Sequence, residues 1–123
     1  MIKCGTDIIE IARIKDAIEK EGFKERVYTE KEIEYCESKN VQKYQSYSGR
    51  FAAKEAIFKA LSTFIKDKYK IKWTDFEIIN DKKGKPNVQI NTNILDKSLI
   101  KNTDISISHC KEYAVANVVV LFK

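Results

Sequence analysis

The chain has 123 residues, 43% of them hydrophobic and 33% charged, with a formal net charge of +5. These proportions describe one folded domain rather than a disordered chain, and no apolar run nears the roughly 20 residues of a membrane span. The positive balance favours a polyanionic partner (nucleic acid, acidic lipid, a phosphorylated ligand or an acidic protein) without choosing among them.

The opening "IKCGTDIIEI" reads as a buried strand, because β-branched residues flank its one glycine. Asp7 and Glu10 interrupt it and no small-residue cleavage site follows, so it is not expected to be a signal peptide; the cytoplasm is the expected compartment. Ile11, Ile14 and Ile18 then recur at helical spacing, with Gly22 as the expected C-cap. Thr29 and Glu32 form a capping-box pair, which predicts a second helix through "EKEIEYCES". A third helix is expected from Gln45 to Phe64. "WTDFEIIND" and "KPNVQIN" alternate like strands across the turn signal "DKKGK". A short helix is expected over Asn93 to Ile100. "DISISHC" and "EYAVANVVVLF" then predict two antiparallel strands joined by a tight turn at Lys111-Glu112. Helices gather in the first half and strands in the second, so the fold class is α+β. Cys4, Cys36 and Cys110 have no close spacing and read as reduced, packed thiols.

The third helix carries the chemistry. Gly49, Ala53, Ala56 and Ala60 form one narrow face that lets another backbone approach, and Ile57, Phe58 and Leu61 form a separate apolar arc. Arg50 and Lys54, four apart, project together, as do Glu55 and Lys59. One carboxylate among three cations suits a phosphate-rich ligand held with magnesium, which takes one or two carboxylates, waters and phosphate oxygens. A second carboxylate is needed, and Asp7 is the first candidate, since an acidic residue inside an apolar strand requires a cation or an ion pair. Its bland alternatives are a solvated strand end or a pair with Arg13. Glu10 is a weaker candidate. Ser106, Ser108 and His109 stand together at a strand end, and Gly84-Lys85-Pro86 puts a lysine on a stiff turn; both suit polar ligand contacts.

In order along the chain, "GTDIIEIARI", "FKERVYTEKE", "GRFAAKEAIFKA", "GKP" and "SISH" resemble the holo-acyl-carrier-protein synthases, small 4′-phosphopantetheinyl transferases. The resemblance implies an antiparallel sheet packed on a long central helix. It also implies magnesium-dependent transfer of the 4′-phosphopantetheine arm of coenzyme A to a serine of an apo acyl carrier protein, in fatty acid biosynthesis. The family is typically a homotrimer with coenzyme A between subunits. Matching positions would make Asp7 and Glu55 the metal ligands and put Lys59 on the transferred phosphate. Arg50, Lys54, Lys85, Pro86, Ser108 and His109 would hold the nucleotide end. Arg13, Lys20, Phe23, Lys24 and Arg26 would dock the acidic carrier; no nucleic acid and no membrane is implied.

Two departures stand out. Leu61-Ser62-Thr63-Phe64 and the lysine-rich "IKDKYKIK" replace the family's Gly-Thr-Gly loop, and Gly22 stands where a basic residue usually precedes the docking Phe. Two other classes remain possible from the residues: a non-catalytic basic module binding nucleotide or nucleic acid, and a magnesium-dependent hydrolase of nucleotide pyrophosphates.

Overall fold

In the computed structural model, which describes residues 1–123, the last strand is the pivot. Strand β5 (Tyr113–Phe122) lies between β1 (Ile2–Glu10) and β4 (Ile100–His109), antiparallel to both. Its alternation is strict. Ala114, Ala116, Val118, Val120 and Phe122 are buried on one face, while Tyr113, Asn117 and Val119 are exposed on the other. A second sheet is the hairpin β2 (Phe76–Asn80) and β3 (Pro86–Ile90), turned over Asp81 and Gly84 as its sequence predicts.

Four helices precede the hairpin: α1 (Ile11–Ile18), α2 (Phe23–Val27), α3 (Glu30–Glu37) and α4 (Lys43–Leu61). Helix α4 lies across the buried face of the three-stranded sheet, and Ala53, Ala56 and Ala60 disappear into the main core there. The small-residue face does what its composition allows. A Cβ built on Gly5 would fall 1.9 Å from the Ala56 carbonyl oxygen, so strand and helix meet backbone to backbone. Gly5→Ala is therefore expected to cost at least about 3 kcal/mol, the upper end of ordinary overpacking, because a carbonyl cannot swing aside as a side chain can. Urea unfolding measures it; a Gly5→Ala chain as stable as the parent would disprove the contact. A second cluster of Ile14, Val27, Tyr28, Cys36 and Tyr47 fills the space between α1, α2, α3 and the start of α4.

The α+β class, the hairpin, the two C-terminal strands and the capped α3 agree with the sequence expectations. At the last, the Thr29 hydroxyl accepts from the Glu32 amide (3.3 Å) and the Glu32 carboxylate accepts from the Thr29 amide (2.9 Å).

Five expectations need correction. Strand β1 is an edge strand with one open face, not a buried one: Ile2, Cys4, Thr6 and Ile8 are exposed, and only Gly5 is fully covered. Gly22 does not cap α1, which ends at Ile18; at φ 84° it starts α2, a helix of five residues too short for periodicity to reveal. Helix α4 stops at Leu61 and continues to Phe64 only as a 3-10 turn, where Phe64 stacks on Phe122 at 4.2 Å. Asn93 to Ile100 holds no α-helix, only a 3-10 turn at Lys97–Leu99 behind Asp96. Of the cysteines only Cys36 is packed, its thiol pushed up to about 12 by burial, while Cys4 and Cys110 are exposed.

Candidate active site

Asp7 sits on the helix-facing side of β1, two residues beyond the Gly5 contact, and Glu55 precedes Ala56 on α4. The close approach of the two backbones therefore brings these acids into one neighbourhood. Lys59 Nζ, one turn along from Glu55, donates to Asp7 Oδ1 (3.1 Å) and to the Thr6 carbonyl (3.0 Å). Asp7 thus pairs with Lys59 rather than with Arg13. Burial holds the Glu55 carboxyl above the usual carboxylate range, and the negative charge of Asp7 raises it further against a smaller pull from Lys59. Two neighbouring carboxylates, one of them paired with a single lysine, fit a divalent cation with open positions for phosphate oxygens.

Beside Glu55 lies a cavity of about 190 Å³ walled by Phe58, Ile71, Trp73 and Phe76, with Lys68 and Lys72 also lining it. One of its walls, Ile71, and both of these lysines come from the segment that departs from the family pattern. That segment is fixed by the burial of Ile65 and by a 3-10 turn at Lys68–Lys70 that Asp67 caps.

A second cleft, of about 170 Å³, opens near the start of α4, where Arg50, Pro86 and His109 come together with Gly49, Asn80 and Gly84. Arg50 is buried, donates to Asn80 Oδ1, and lies over the Tyr35 ring with its guanidinium carbon 4.1 Å from the centroid. Its Nε is buried without any hydrogen-bond partner. A buried guanidinium N–H of this kind is costly unless an acceptor reaches it, and a cleft lined by this cation suits an anion. Lys85 stands next to it, donating to Asp104 Oδ1 (2.9 Å) and to the Ile105 carbonyl (3.2 Å). Hydrogen bonding to that ammonium holds the Asp104 carboxyl below its ordinary value. Ser108 is not in the cleft. Along β4 it alternates with Ile107, which lines the cleft, and its own side chain is exposed on the opposite face of the sheet.

Lys54, expected at the nucleotide, lies away from the Arg50 cleft: it lines the floor of the cavity beside Glu55 and pairs there with Glu32 at 2.7 Å, both side chains 0% exposed. Its ammonium also donates to the Phe76 carbonyl (2.6 Å) and the Trp73 carbonyl (3.1 Å). Glu32 is the residue the linear pattern missed. Read only as a cap, it also accepts from the Ile78 amide (2.9 Å), tying α3, α4 and β2 at one carboxylate. A signal was present. Tyr47, Arg50, Lys54, Ile57 and Leu61 recur at three- and four-residue steps, one continuous helix face, and all are buried.

The residues expected to dock the carrier lie on α1, α2 and the turn between them. Arg13 is exposed on the side of α1 away from Ile11 and Ile14, and Lys20 and Arg26 are exposed as well. Arg26 leans over Phe23 at 5.8 Å, and Lys24 lies 3.7 Å from Glu37. Phe23 is half-buried, stacked on Phe51 (6.3 Å), which stacks on Trp73 (4.8 Å), so an aromatic run connects this surface to the cavity beside Glu55.

Comparison with known proteins shows the family and the fold. The family described as ACPS, the 4′-phosphopantetheinyl transferase superfamily, matches residues 3–118. The chain is 47% identical over 121 residues to the holo-[acyl-carrier-protein] synthase of Ruminiclostridium cellulolyticum, covering 94% of this chain and 89% of that one. It is 51% identical over 116 residues to the Clostridium tetani protein of that name, covering 91% and 89%. Among solved structures, the Helicobacter pylori holo-[acyl-carrier-protein] synthase in complex with coenzyme A superposes with a TM-score of 0.81 at 34% identity, covering 98% of this chain and 100% of that one. The Bacillus anthracis synthase in complex with CoA (3′,5′-ADP) gives 0.78 at 38% identity, covering 96% and 94%.

Proposed function

Because the chain belongs to the 4′-phosphopantetheinyl transferase superfamily, we propose that it is a holo-acyl-carrier-protein synthase: it moves the 4′-phosphopantetheine arm of coenzyme A onto a serine of an apo acyl carrier protein. The observation that carries this reading is the meeting of Asp7, Glu55 and Lys59 where α4 crosses β1.

In the reaction, the carrier serine oxygen forms a bond to the β-phosphorus of coenzyme A and loses its proton. The bond from that phosphorus to the bridging oxygen breaks, and adenosine 3′,5′-bisphosphate leaves with the electron pair. Asp7 and Glu55 would hold magnesium, which when bound supplies positive charge to the pyrophosphate and the departing oxygen. Lys59 turns from Asp7 toward the transferred phosphate, adding a fixed charge where it develops. Arg50, with its free Nε, and Lys85, Pro86 and His109 hold the nucleotide end. Arg13, Lys20, Phe23, Lys24 and Arg26 receive the acidic carrier. Exposed Ile2, Ile8 and Val119 on the open face of the three-stranded sheet support association with further copies, which we read as the homotrimer typical of the family. The product would serve fatty acid biosynthesis in the cytoplasm; no helix is long and apolar enough to cross a membrane.

Incubation with coenzyme A, magnesium and an apo carrier protein tests the reading by mass spectrometry. One phosphopantetheine per carrier is expected. Hydrolysis of coenzyme A without labelling would point to a hydrolase, and no reaction to a binding module. Arg13→Glu is expected to raise KM for the carrier about tenfold, more at low salt, with KM for coenzyme A unchanged. The opposite split would move the docking surface elsewhere.

A further inference from the structure

We propose that the exposed segment Lys66–Lys72 is a second docking surface for the acidic carrier protein, beside the one on α1 and α2; the inference rests on the transferase reading above. Its seven residues carry four lysines, Lys66, Lys68, Lys70 and Lys72, against a single acid, Asp67. That acid is already in use. Asp67 accepts from the Tyr69 amide (3.0 Å), which caps the 3-10 turn, and lies 4.0 Å from Lys70. Lys66, Lys68 and Lys72 form no ion pair, and all four lysines are exposed. Between them stands Tyr69, 100% exposed.

The display is anchored. Ile65 is buried in the main core, and Ile71 packs half-buried against the same core, so both ends of the segment are tied down. The capped turn at Lys68–Lys70 then holds Tyr69 outward. A tyrosine left wholly in water contributes no packing to its own chain. On a rigid turn among cations it offers a partner a large contact area at low entropic cost, and tyrosine is enriched in protein interfaces.

Position chooses the partner. Lys68 and Lys72 line the cavity beside Glu55, and the next residue, Trp73, stacks on Phe51, which stacks on Phe23 of α2. The segment therefore borders the centre formed by Asp7, Glu55 and Lys59 and adjoins the α2 surface through Trp73. A carrier must bring its serine oxygen to a phosphate held at that centre, which carries its acidic surface past these lysines. Nucleic acid or an anionic membrane would be drawn by the same charge, but lying on this segment either would cover the cavity and obstruct the reaction.

Two variants test this while leaving Lys68 and Lys72 in place: Lys66→Glu with Lys70→Glu, and Tyr69→Ser. The charge reversal is expected to raise KM for the carrier about tenfold at low salt, and the gap from the parent should close as salt screens the charges. Tyr69→Ser should raise the same KM roughly fivefold with the parent's salt dependence, the mark of a contact rather than of a distant field. KM for coenzyme A and kcat should not move in either variant. If the parent labels the carrier and both variants keep its carrier KM, the inference falls alone. A raised KM for coenzyme A in place of the carrier would also overturn it. So would loss of binding to phosphatidylserine vesicles or to a single-stranded DNA oligonucleotide with carrier KM unchanged, which would give the segment to a membrane or a nucleic acid. If the parent labels no carrier at all, the transferase reading fails first and takes this inference with it.

Discussion

Glu55→Gln is expected to lower the rate of carrier labelling by on the order of 10³, with the chain more stable in chelator than the parent. The two effects have one cause. Burial and the Asp7 charge raise the Glu55 pKa in the folded chain, so its ionised form is disfavoured there relative to the unfolded chain. A carboxyl with a raised folded pKa supports stability only while protonated, below its unfolded value near 4.5, and that support is lost as pH rises through the folded pKa. At neutral pH without a cation, ionised Glu55 therefore opposes folding. Glutamine keeps the shape and removes the charge, which should raise Tm by about 1–3 °C; a partly exposed group is partly screened, and 1 kcal/mol corresponds to roughly 3–6 °C at this size. Addition of magnesium should stabilise the parent and leave Glu55→Gln unmoved. Near-parental labelling by a folded Glu55→Gln chain would remove Glu55 from the metal site.

The largest loss of stability is expected at Lys54. Lys54→Met leaves the Glu32 carboxylate buried beside apolar neighbours and strands the carbonyls of Phe76 and Trp73, which should cost roughly 3–5 kcal/mol. For a 123-residue chain of ordinary stability that is a third or more of the total. Adding Glu32→Gln should restore part of it, since the amide oxygen can still accept from Ile78 while the charge is gone. Urea unfolding of the single and double variants reads the coupling. A single-variant loss below about 1 kcal/mol, or strict additivity in the pair, would contradict the burial of both charges.

Lys54 also marks where the linear pattern stopped being legible. Asp7, Glu55 and Lys59 could be read because each is an ionisable group at a spacing that chemistry explains, and the alanine face of α4 because close approach needs small residues. Arg50 and Lys54 look the same as Lys59 on a helical wheel, yet they continue the line of Tyr47, Ile57 and Leu61 into the interior. What buries them is a partner from far along the chain: Glu32 is 22 residues before Lys54, and Asn80 is 30 residues after Arg50. Periodicity records which face a residue shares and carries no information about a distant carboxylate or amide. Ser108 falls outside the Arg50 cleft for a simpler reason. Ser106 and Ser108 share one face of the strand and His109 lies on the other, so proximity in sequence put opposite faces into one group. Asn93 to Ile100 has helix-tolerant residues but too few of them, and nucleating a helix costs more than so short a segment recovers.

The glycine at position 5 governs more than packing. It lies two residues from one acid and presses on the residue that follows the other, so the gap between the two carboxylates is gauged by peptide groups in contact rather than by adjustable side chains. Drift in the surrounding core can therefore exchange one aliphatic residue for another without changing the spacing of Asp7 and Glu55. The chain has tied its most demanding measurement to the one kind of residue that leaves no room for adjustment.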